Sequence, residues 1–276
     1  MNSLTVFFQY MNRELVRRKQ IITPLVICIV PMIAFLVDWG AVATADPTPM
    51  GGGPEGVIEP VEFTAGLFFS FTGFFGTLAA IILGCSVVSA ELNRGMLAMW
   101  STRPVRRIDV LLGRFFAVAL VLVLSSLLWG SILALAALVR GGGGEIAGQL
   151  LLGSIGLIPT LITFLAVATL YSNWLGSLGS AGVALATWLI ATILGWVASF
   201  DEAASGFGGE LPDAAQAVAT LGELATWILP TRFLDDWPNV LAFSGDLEPA
   251  ALAALATPVI WLALACLFLQ RRRNLH

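Results

Sequence analysis

The chain has 276 residues, of which 58% are hydrophobic and 12% are charged, and its formal net charge is −4. Because soluble domains average about 25% charged residues, this composition excludes a soluble globular protein and predicts a single integral membrane domain over residues 1–276. All three cysteines, Cys28, Cys85 and Cys266, fall inside apolar runs, which excludes an external disulfide framework.

Residues 1–20 combine an apolar face with basic residues, the pattern of a helix that lies on a membrane surface. The apolar face consists of Leu4, Phe7, Phe8, Met11 and Leu15. The same segment resembles the basic start of a signal peptide, because the run that follows it is short and Ala43-Thr44-Ala45 is typical of a cleavage site. The length and regular pattern of the segment favour the interfacial helix.

Six apolar runs follow along the chain, and a helix needs about 20 residues to cross a bilayer. The predicted spans cover residues 21–37, 63–89, 110–139, 146–171, 175–200 and 249–270. Pro159 is expected to kink the fourth span. Residues 140–145 and 172–174 are short enough to be tight turns, and they are predicted on the outer and the inner side respectively.

Residues 201–248 form the longest polar segment, with nine acids and one arginine. Apolar residues recur at helical spacing over 214–228 and form a second cluster over 233–241, with Pro230 between the two. We therefore predict an outer segment that contains two short helices.

The charged residues are distributed unevenly between the predicted loops. Twelve of the 14 basic residues lie in segments assigned to the inner side, whereas 15 of the 18 acids lie in outer segments. Short loops rich in Lys and Arg are found on the cytoplasmic side of membranes. Six spans with both termini in the cytoplasm satisfy this rule, and five or seven spans would break it.

The connection between the second and third spans is the most basic stretch, with five arginines in residues 90–114. Its first part, Glu91–Trp100, has apolar residues near helical spacing and predicts a short amphipathic helix on the inner membrane face. Pro104 disfavours helical geometry at Arg103 and so ends that helix. Asp109 is expected to cap the third span.

The same stretch resembles the sequence pattern of the ABC type-2 transporter permease family. That pattern is a Glu, then Gly-Thr-Leu, then Ser/Thr-x-Pro-Val, basic residues and Leu-Gly-Lys. The matching residues are Glu91, Arg94-Gly95-Met96-Leu97, Ser101-Thr102-Arg103-Pro104-Val105, Arg106-Arg107 and Leu112-Gly113-Arg114. Met96 stands where the family has threonine and Arg114 where it has lysine, and these changes keep size or charge.

The resemblance implies the type V exporter fold, an all-α integral membrane fold with six transmembrane helices. It has an N-terminal amphipathic interfacial helix, a cytoplasmic coupling helix between spans two and three, and an outer helical hairpin between spans five and six. The implied docking residues for a separate ABC ATPase subunit are Glu91, Arg94, Gly95, Met96, Leu97, Trp100, Arg103 and Pro104.

The resemblance also implies an assembly in the cell membrane of a prokaryote. It implies that two copies of the chain pair through the side of the first, second and fifth spans. Two ATPase subunits bind the ATP and magnesium, so the chain itself needs no cofactor.

The chain is predicted not to be an enzyme. Its single lysine, Lys19, does not follow the glycines that cradle phosphates, so energy must come from a partner. The predicted spans contain no Asp, Glu, Lys or His, which ion-coupled carriers and intramembrane hydrolases need, and no metal site is expected. Arg114, about one turn inside the third span, is expected to extend its guanidinium to the headgroups.

Polar side chains inside the spans are chiefly hydroxyls, which mostly let helices pack closely and bond to backbone carbonyls. The alternative is a cavity lined by hydroxyls and phenylalanines, which would suit an amphipathic or lipid-like substrate. The candidates for such a substrate path are Phe68, Phe71, Thr72, Phe75, Ser180 and Thr187.

Three functions are compatible with the sequence. The first is the membrane subunit of an ATP-driven exporter, in contact with lipid, an ATPase and a second copy of itself, with no nucleic-acid partner. The second is a membrane scaffold that recruits an ATPase for assembly or signalling. The third, an ion-coupled secondary carrier, is disfavoured because the spans lack the acidic, lysine or histidine group it needs.

Overall fold

The computed structural model describes residues 60–92, 107–139, 143–206, 238 and 255–271. In these ranges the chain forms five α-helices, which we number in chain order: α1 is Pro60–Leu92, α2 Arg107–Val139, α3 Gly143–Ser172, α4 Ser177–Gly206 and α5 Thr257–Arg271. Of the described residues, only 173–176, 255 and 256 are not helical. The prediction of an all-helical protein is confirmed for this part of the chain.

Several predicted elements lie outside the described residues. They are the interfacial helix 1–20, the first span 21–37, the part of the coupling helix beyond Leu92, and the outer segment from residue 207 onward except Pro238. These elements stay predictions.

Three of the helices are long and apolar enough to cross a membrane, over Phe68–Val87, Ile108–Val139 and Gly144–Ser172. They correspond to the predicted second, third and fourth spans. At about 1.5 Å per residue, the 33 residues of α1 and of α2 reach roughly 50 Å, more than the hydrocarbon thickness of about 30 Å. Helices α4 and α5 contain shorter apolar stretches, Ser177–Ile193 and Thr257–Arg271.

The predicted boundaries of the helices are wrong at several polar ends. The turn predicted over 140–145 is too long, because Gly143, Gly144 and Glu145 already belong to α3. The first amide groups of a helix need no partner inside it, and an acid in the first turn is favoured by the helix dipole, so a glycine-rich start is tolerated. Asp109 likewise lies within the first turn of α2 and is not its cap.

Two further boundaries differ from the prediction, at the end of α4 and at the start of α5. Helix α4 continues through Asp201 and Glu202 to Gly206, beyond the predicted end at residue 200, since backbone hydrogen bonding does not require apolar side chains. Helix α5 begins at Thr257 after a turn at 255–256, whereas the sixth span was predicted from residue 249. Pro159 lies inside α3 as predicted, and the expected kink there stays a prediction.

Consecutive helices run in opposite directions. The contacts that fix these directions are Gly76–Trp129 and Val87–Arg114 between α1 and α2, Gly73–Leu157 and Gly84–Ala168 between α1 and α3, and Val167–Ala191 and Tyr171–Thr187 between α3 and α4. Helix α5 is oriented by Trp261, which packs against the cluster of Val167 and Ala191, and by the hydrogen bond from Asn173 to the Ala265 carbonyl. The ends at which α1, α3 and α5 finish and α2 and α4 begin therefore lie together. We call this the basic end, because Arg107 and Arg271 belong to it.

Helix α3 is at the centre of the described bundle and packs against all four other helices. Its side chains Leu165, Ala166, Val167 and Ala168 are fully buried. In lipid there is little hydrophobic drive for helices to associate, so close packing and small residues decide which faces meet. The central position of α3 makes it the common support on which the flanking helices rest.

Small residues set the closest approaches to α3. The position of a Cβ on Gly84 of α1 is 2.8 Å from the Ala168 Cβ and 2.9 Å from the Leu165 carbonyl oxygen. Gly130 of α2 lies against the Ser154 side chain in the same way. Any side chain at these glycines would force the helices apart.

Candidate functional site

The basic end of the bundle holds the two helix ends that flank residues 93–106, which contain most of the predicted docking segment. Arg114 of α2 reaches back to α1, and its Nη1 donates to the Val87 carbonyl oxygen at 2.6 Å. Both residues are buried, with exposed fractions of 8% for Arg114 and 3% for Val87. Leu83, Leu111 and Phe115 belong to the same buried cluster as Val87.

The burial of Arg114 is a correction to the sequence prediction, which placed its guanidinium among the headgroups. Burying a charge is costly unless it is hydrogen-bonded, and the Val87 carbonyl supplies an acceptor with two lone pairs. A positive charge close to the C-terminal end of α1 is also favoured by the helix dipole. The sequence signal that could have indicated this is the position of Arg114 about two turns inside α2, opposite the last turns of α1.

A second polar contact at the basic end holds α5 to the turn between α3 and α4. The Asn173 side chain is buried, and its Nδ2 donates to the Ala265 carbonyl oxygen at 3.2 Å. The next residue, Trp174, packs edge-on against Phe268 with ring centroids 4.7 Å apart. Sequence reasoning treated this turn only as a short uncharged link and missed both contacts.

The predicted docking residues for an ATPase fall mostly beyond the described ranges. Glu91 lies in the last turn of α1. The remaining docking residues, Arg94, Gly95, Met96, Leu97, Trp100, Arg103 and Pro104, lie outside the described residues. Their role as a docking surface therefore stays a prediction.

The four predicted substrate-path residues on α1 have different surroundings. Phe68 is buried in a cluster with Phe69 and Leu133, and Thr72 is also buried. Phe71 is 54% exposed. Phe75 is partly buried against the main core cluster. With the spacing i, i+3, i+4 and i+7, the four residues lie on one stripe of α1, on which Phe68 and Thr72 are buried and Phe71 is exposed.

The two predicted path residues on α4 serve contacts between helices. The buried Ser180 hydroxyl donates to the Ser177 carbonyl at 3.0 Å, and its side chain lies beside Cys85 of α1. The Thr187 hydroxyl donates to the Val183 carbonyl at 2.8 Å and lies 3.2 Å from the Tyr171 hydroxyl of α3. The six candidates are thus divided among several helix contacts in the described bundle, and their transport role stays a prediction.

Buried polar atoms without a partner stand out in a protein interior, where nearly all such atoms are paired. The Thr72 hydroxyl of α1 and the Trp129 Nε1 of α2 have no hydrogen-bond partner among the described residues. Trp129 packs near Gly76 of α1, with ring atoms 3.6 Å and 3.7 Å from the Cβ position. Sequence reasoning missed Trp129, although a lone tryptophan in a run of Leu, Val and Ala was a visible signal.

Most other hydroxyls bond to carbonyls, as the sequence predicted. Ser125, Thr163 and Thr169 donate to the carbonyl four residues earlier, at 2.7–2.8 Å. Ser126 is different, because it donates to the Ser154 carbonyl of α3 at 2.5 Å. These bonds satisfy the hydroxyls inside an apolar bundle, which supports the packing role for most of them.

No group of three or more His, Cys, Asp or Glu side chains suited to a metal ion occurs among the described residues. In comparisons with known proteins, no family model matches the chain and no curated protein matches it significantly.

Proposed function

We propose that the chain is the transmembrane permease subunit of an ATP-driven ABC exporter, which works as a pair of copies with two separate ATPase subunits. The observation that carries the proposal is the arrangement of α1 and α2 at the basic end. These helices are antiparallel, and Arg114 joins them by a bond to Val87. Residues 93–106, which resemble a coupling helix, therefore connect two neighbouring helix ends.

Long helices suit the transmission of motion from such a connection. Helices α1 and α2 each extend over 33 residues, roughly 50 Å, and both pack along α3. A displacement at the basic end is carried along a rigid helix, because backbone hydrogen bonds resist stretching and bending. Movement of an ATPase at the inner face would thus reach the opposite end of the bundle.

An amphipathic or lipid-like substrate fits the side chains of α1 best. Phe71 and Phe74 leave large apolar surface exposed, whereas Thr72 offers a buried hydroxyl without a partner. The apolar tail of a substrate would pack against the two phenylalanines, and its polar group would reach the enclosed Thr72 hydroxyl when α1 separates from its neighbours.

The same region supports pairing of two copies. Helices α1 and α4 are neighbours, with the Phe74 and Trp188 rings 4.9 Å apart, and both leave apolar side chains exposed. Gly182 on α4 has open space at its Cβ position, which allows a second helix to approach closely. The family resemblance favours this side of the bundle for the contact between copies.

We expect six spans with both termini in the cytoplasm of a prokaryotic cell, because the basic residues are concentrated on one predicted side. Cysteines introduced singly at Glu55, Gly143 and Ser205 should react with a membrane-impermeant maleimide added to intact cells. Cysteines at Arg103 and Asn274 should react only after the cells are opened. Reaction at Arg103 in intact cells would overturn both the orientation and the docking role of this stretch.

An ion-coupled carrier is the weaker alternative. Arg114 is a buried ionisable residue of the described spans, and a guanidinium stays protonated at physiological pH, so it cannot bind and release protons in a transport cycle. This favours a partner that supplies ATP energy.

A transport assay separates the exporter from the scaffold. The chain and its cognate ATPase, reconstituted in sealed vesicles with a short-chain fluorescent phospholipid, should move the probe when ATP is added. Vesicles with an ATPase whose phosphate-binding lysine is replaced are the control and should show no movement. ATP hydrolysis by the intact complex without movement of this probe or of other amphipathic probes would favour the scaffold.

A further inference from the structure

Arg114 is the one charged side chain that is buried among the side chains that the structure describes. An arginine near the end of a membrane span would ordinarily extend along the helix to reach water. Arg114 instead directs Nη1 to the Val87 carbonyl oxygen of a neighbouring helix, at 2.6 Å. The guanidinium therefore makes a fixed contact between α2 and α1 where it would otherwise be surrounded by water.

We infer that Arg114 is a positioning residue for energy coupling, which ties α1 to α2 so that the two helices flanking residues 93–106 move as one unit. The inference deepens the proposed function and rests on it, because it assigns Arg114 a part in passing motion from the ATPase to the bundle. The bond itself is a property of the described structure.

The position of the tie suits this role. Val87 lies five residues before the end of α1 at Leu92, and Arg114 lies seven residues after the start of α2 at Arg107. With 3.6 residues per turn, the tie is between about one and two turns from the connection on each helix. A push on residues 93–106 therefore acts on both helices close to the point where they are joined.

Among the described residues, few other contacts hold α1 and α2 together directly. Helices α1 and α2 each pack far more extensively on α3 than on each other. Each could shift along α3 separately, since shifts of about 1–2 Å are typical when packed helices slide. The tie prevents such independent movement at the basic end.

The chemistry of the side chain explains why an arginine serves well. The guanidinium presents five donors in a rigid plane and keeps its charge, so the contact has a defined geometry and does not titrate. A lysine carries the same charge and a comparable reach, but its donors are less constrained. Arg114→Lys should therefore retain much of the tie, and Arg114→Met should lose it.

The first test measures the tie in the full-length chain in nanodiscs, without an ATPase. Nitroxide labels are attached to cysteines that replace Ile82 of α1 and Phe116 of α2, which are 51% and 45% exposed. The native cysteines are removed first. Double electron–electron resonance spectroscopy should give one narrow distribution of the distance between the two labels for the parent and for Arg114→Lys. Arg114→Met should give a broadened and shifted one. Singly labelled proteins correct for distances between copies.

Ser131→Ala is the matched control on the same helix. The Ser131 hydroxyl donates to the Leu127 carbonyl at 2.7 Å, so its removal deletes a side-chain bond that stays within α2. This variant should reproduce the parent distribution. If Arg114→Met does not yield folded protein, Arg114→Gln replaces it, because its shorter neutral amide cannot restore the same contact. An unchanged distribution in the folded neutral variant would overturn the tie.

The second test adds the ATPase and compares the nucleotide-free state with a vanadate-trapped state. A third label at Leu178 of α4, which is 88% exposed, serves as the reference position. In the parent, the labels at 82 and 116 should keep their mutual distance while both move relative to 178. In Arg114→Met this joint movement should be lost although the ATPase still binds, an effect that a purely stabilising role would not produce.

Two results would contradict the coupling role. One is a nucleotide-dependent change in the 82–116 distance of the parent, and the other is full joint movement in Arg114→Met. If the parent recruits no ATPase, the coupling role falls together with the proposed function. The distances measured without the ATPase still decide in that case whether the tie between α1 and α2 exists.

Discussion

Replacement of Gly84 by alanine should destabilise the bundle by about 1–3 kcal/mol, the usual cost of overpacking a well-packed core. The added methyl group would lie 2.8 Å from the Ala168 Cβ and 2.9 Å from the Leu165 carbonyl oxygen. The carbonyl oxygen is part of the α3 backbone, and the Ala168 Cβ is bonded directly to that backbone. Neither atom can therefore move aside as the end of a flexible side chain would. The cost should exceed the gain in helix propensity from glycine to alanine, which is at most about 1 kcal/mol.

Gly148→Ala is the matched control for this prediction. Gly148 also lies in an apolar helix, but nothing is within 4 Å of its Cβ position. The same substitution should therefore be neutral or stabilise by up to about 1 kcal/mol. Unfolding in mixed SDS micelles, followed by circular dichroism, compares the two variants. Equal stability of both variants would mean that α1 and α3 are not as closely packed as described.

The Trp100→Ala variant should lose most of its ability to bind the ATPase, because buried aromatic anchors often contribute about 2 kcal/mol or more to an interface. Arg94→Ala is the control within the same predicted helix. Exposed charges at the rim of an interface contribute little, on the order of 0–1 kcal/mol, so this variant should bind nearly as the parent does. A pull-down of the tagged ATPase from one membrane preparation measures both.

Pro104→Ala should affect the predicted coupling helix differently. Removal of the proline lifts the restriction on Arg103 and softens the joint between the docking helix and α2. We expect the ATPase to bind and hydrolyse ATP while transport falls, because the motion is absorbed in a flexible joint.

If Trp100→Ala binds the ATPase as tightly as the parent, the stretch is not the docking surface.

Much of the helical architecture could be predicted from the sequence. A run of about 20 apolar residues leaves a chain in lipid almost no alternative to a helix, because every backbone polar group must be paired internally. Helices α1, α2 and α3 therefore coincide with the second, third and fourth predicted spans. The helix ends were harder to predict, since residues 143–145 of α3 and 201–206 of α4 continue the helix beyond the apolar run.

The contacts between helices could not be predicted in the same way. Arg114 binds a carbonyl 27 residues away, and Asn173 binds one 92 residues away. Hydrophobic periodicity shows that a side chain faces inward but contains no information about which helix it meets. For this reason the sequence indicated inward-facing hydroxyls and phenylalanines for the substrate path, but it did not predict that they would contact different helices.

The functional proposal rests on the arrangement of α1 and α2 at the basic end together with the resemblance of the stretch that connects them. In the sequence, residues 93–106 connect α1 to α2, whose adjoining ends are neighbours in the bundle. We propose that this chain assembles in two copies with two ATPase subunits.

Native mass spectrometry of the complex purified through a tag on the ATPase tests that claim most directly. We expect a single assembly that contains two copies of this 29.3 kDa chain and two copies of the ATPase. Purification of the ATPase without the chain, or an assembly with one copy of the chain for each ATPase pair, would contradict it.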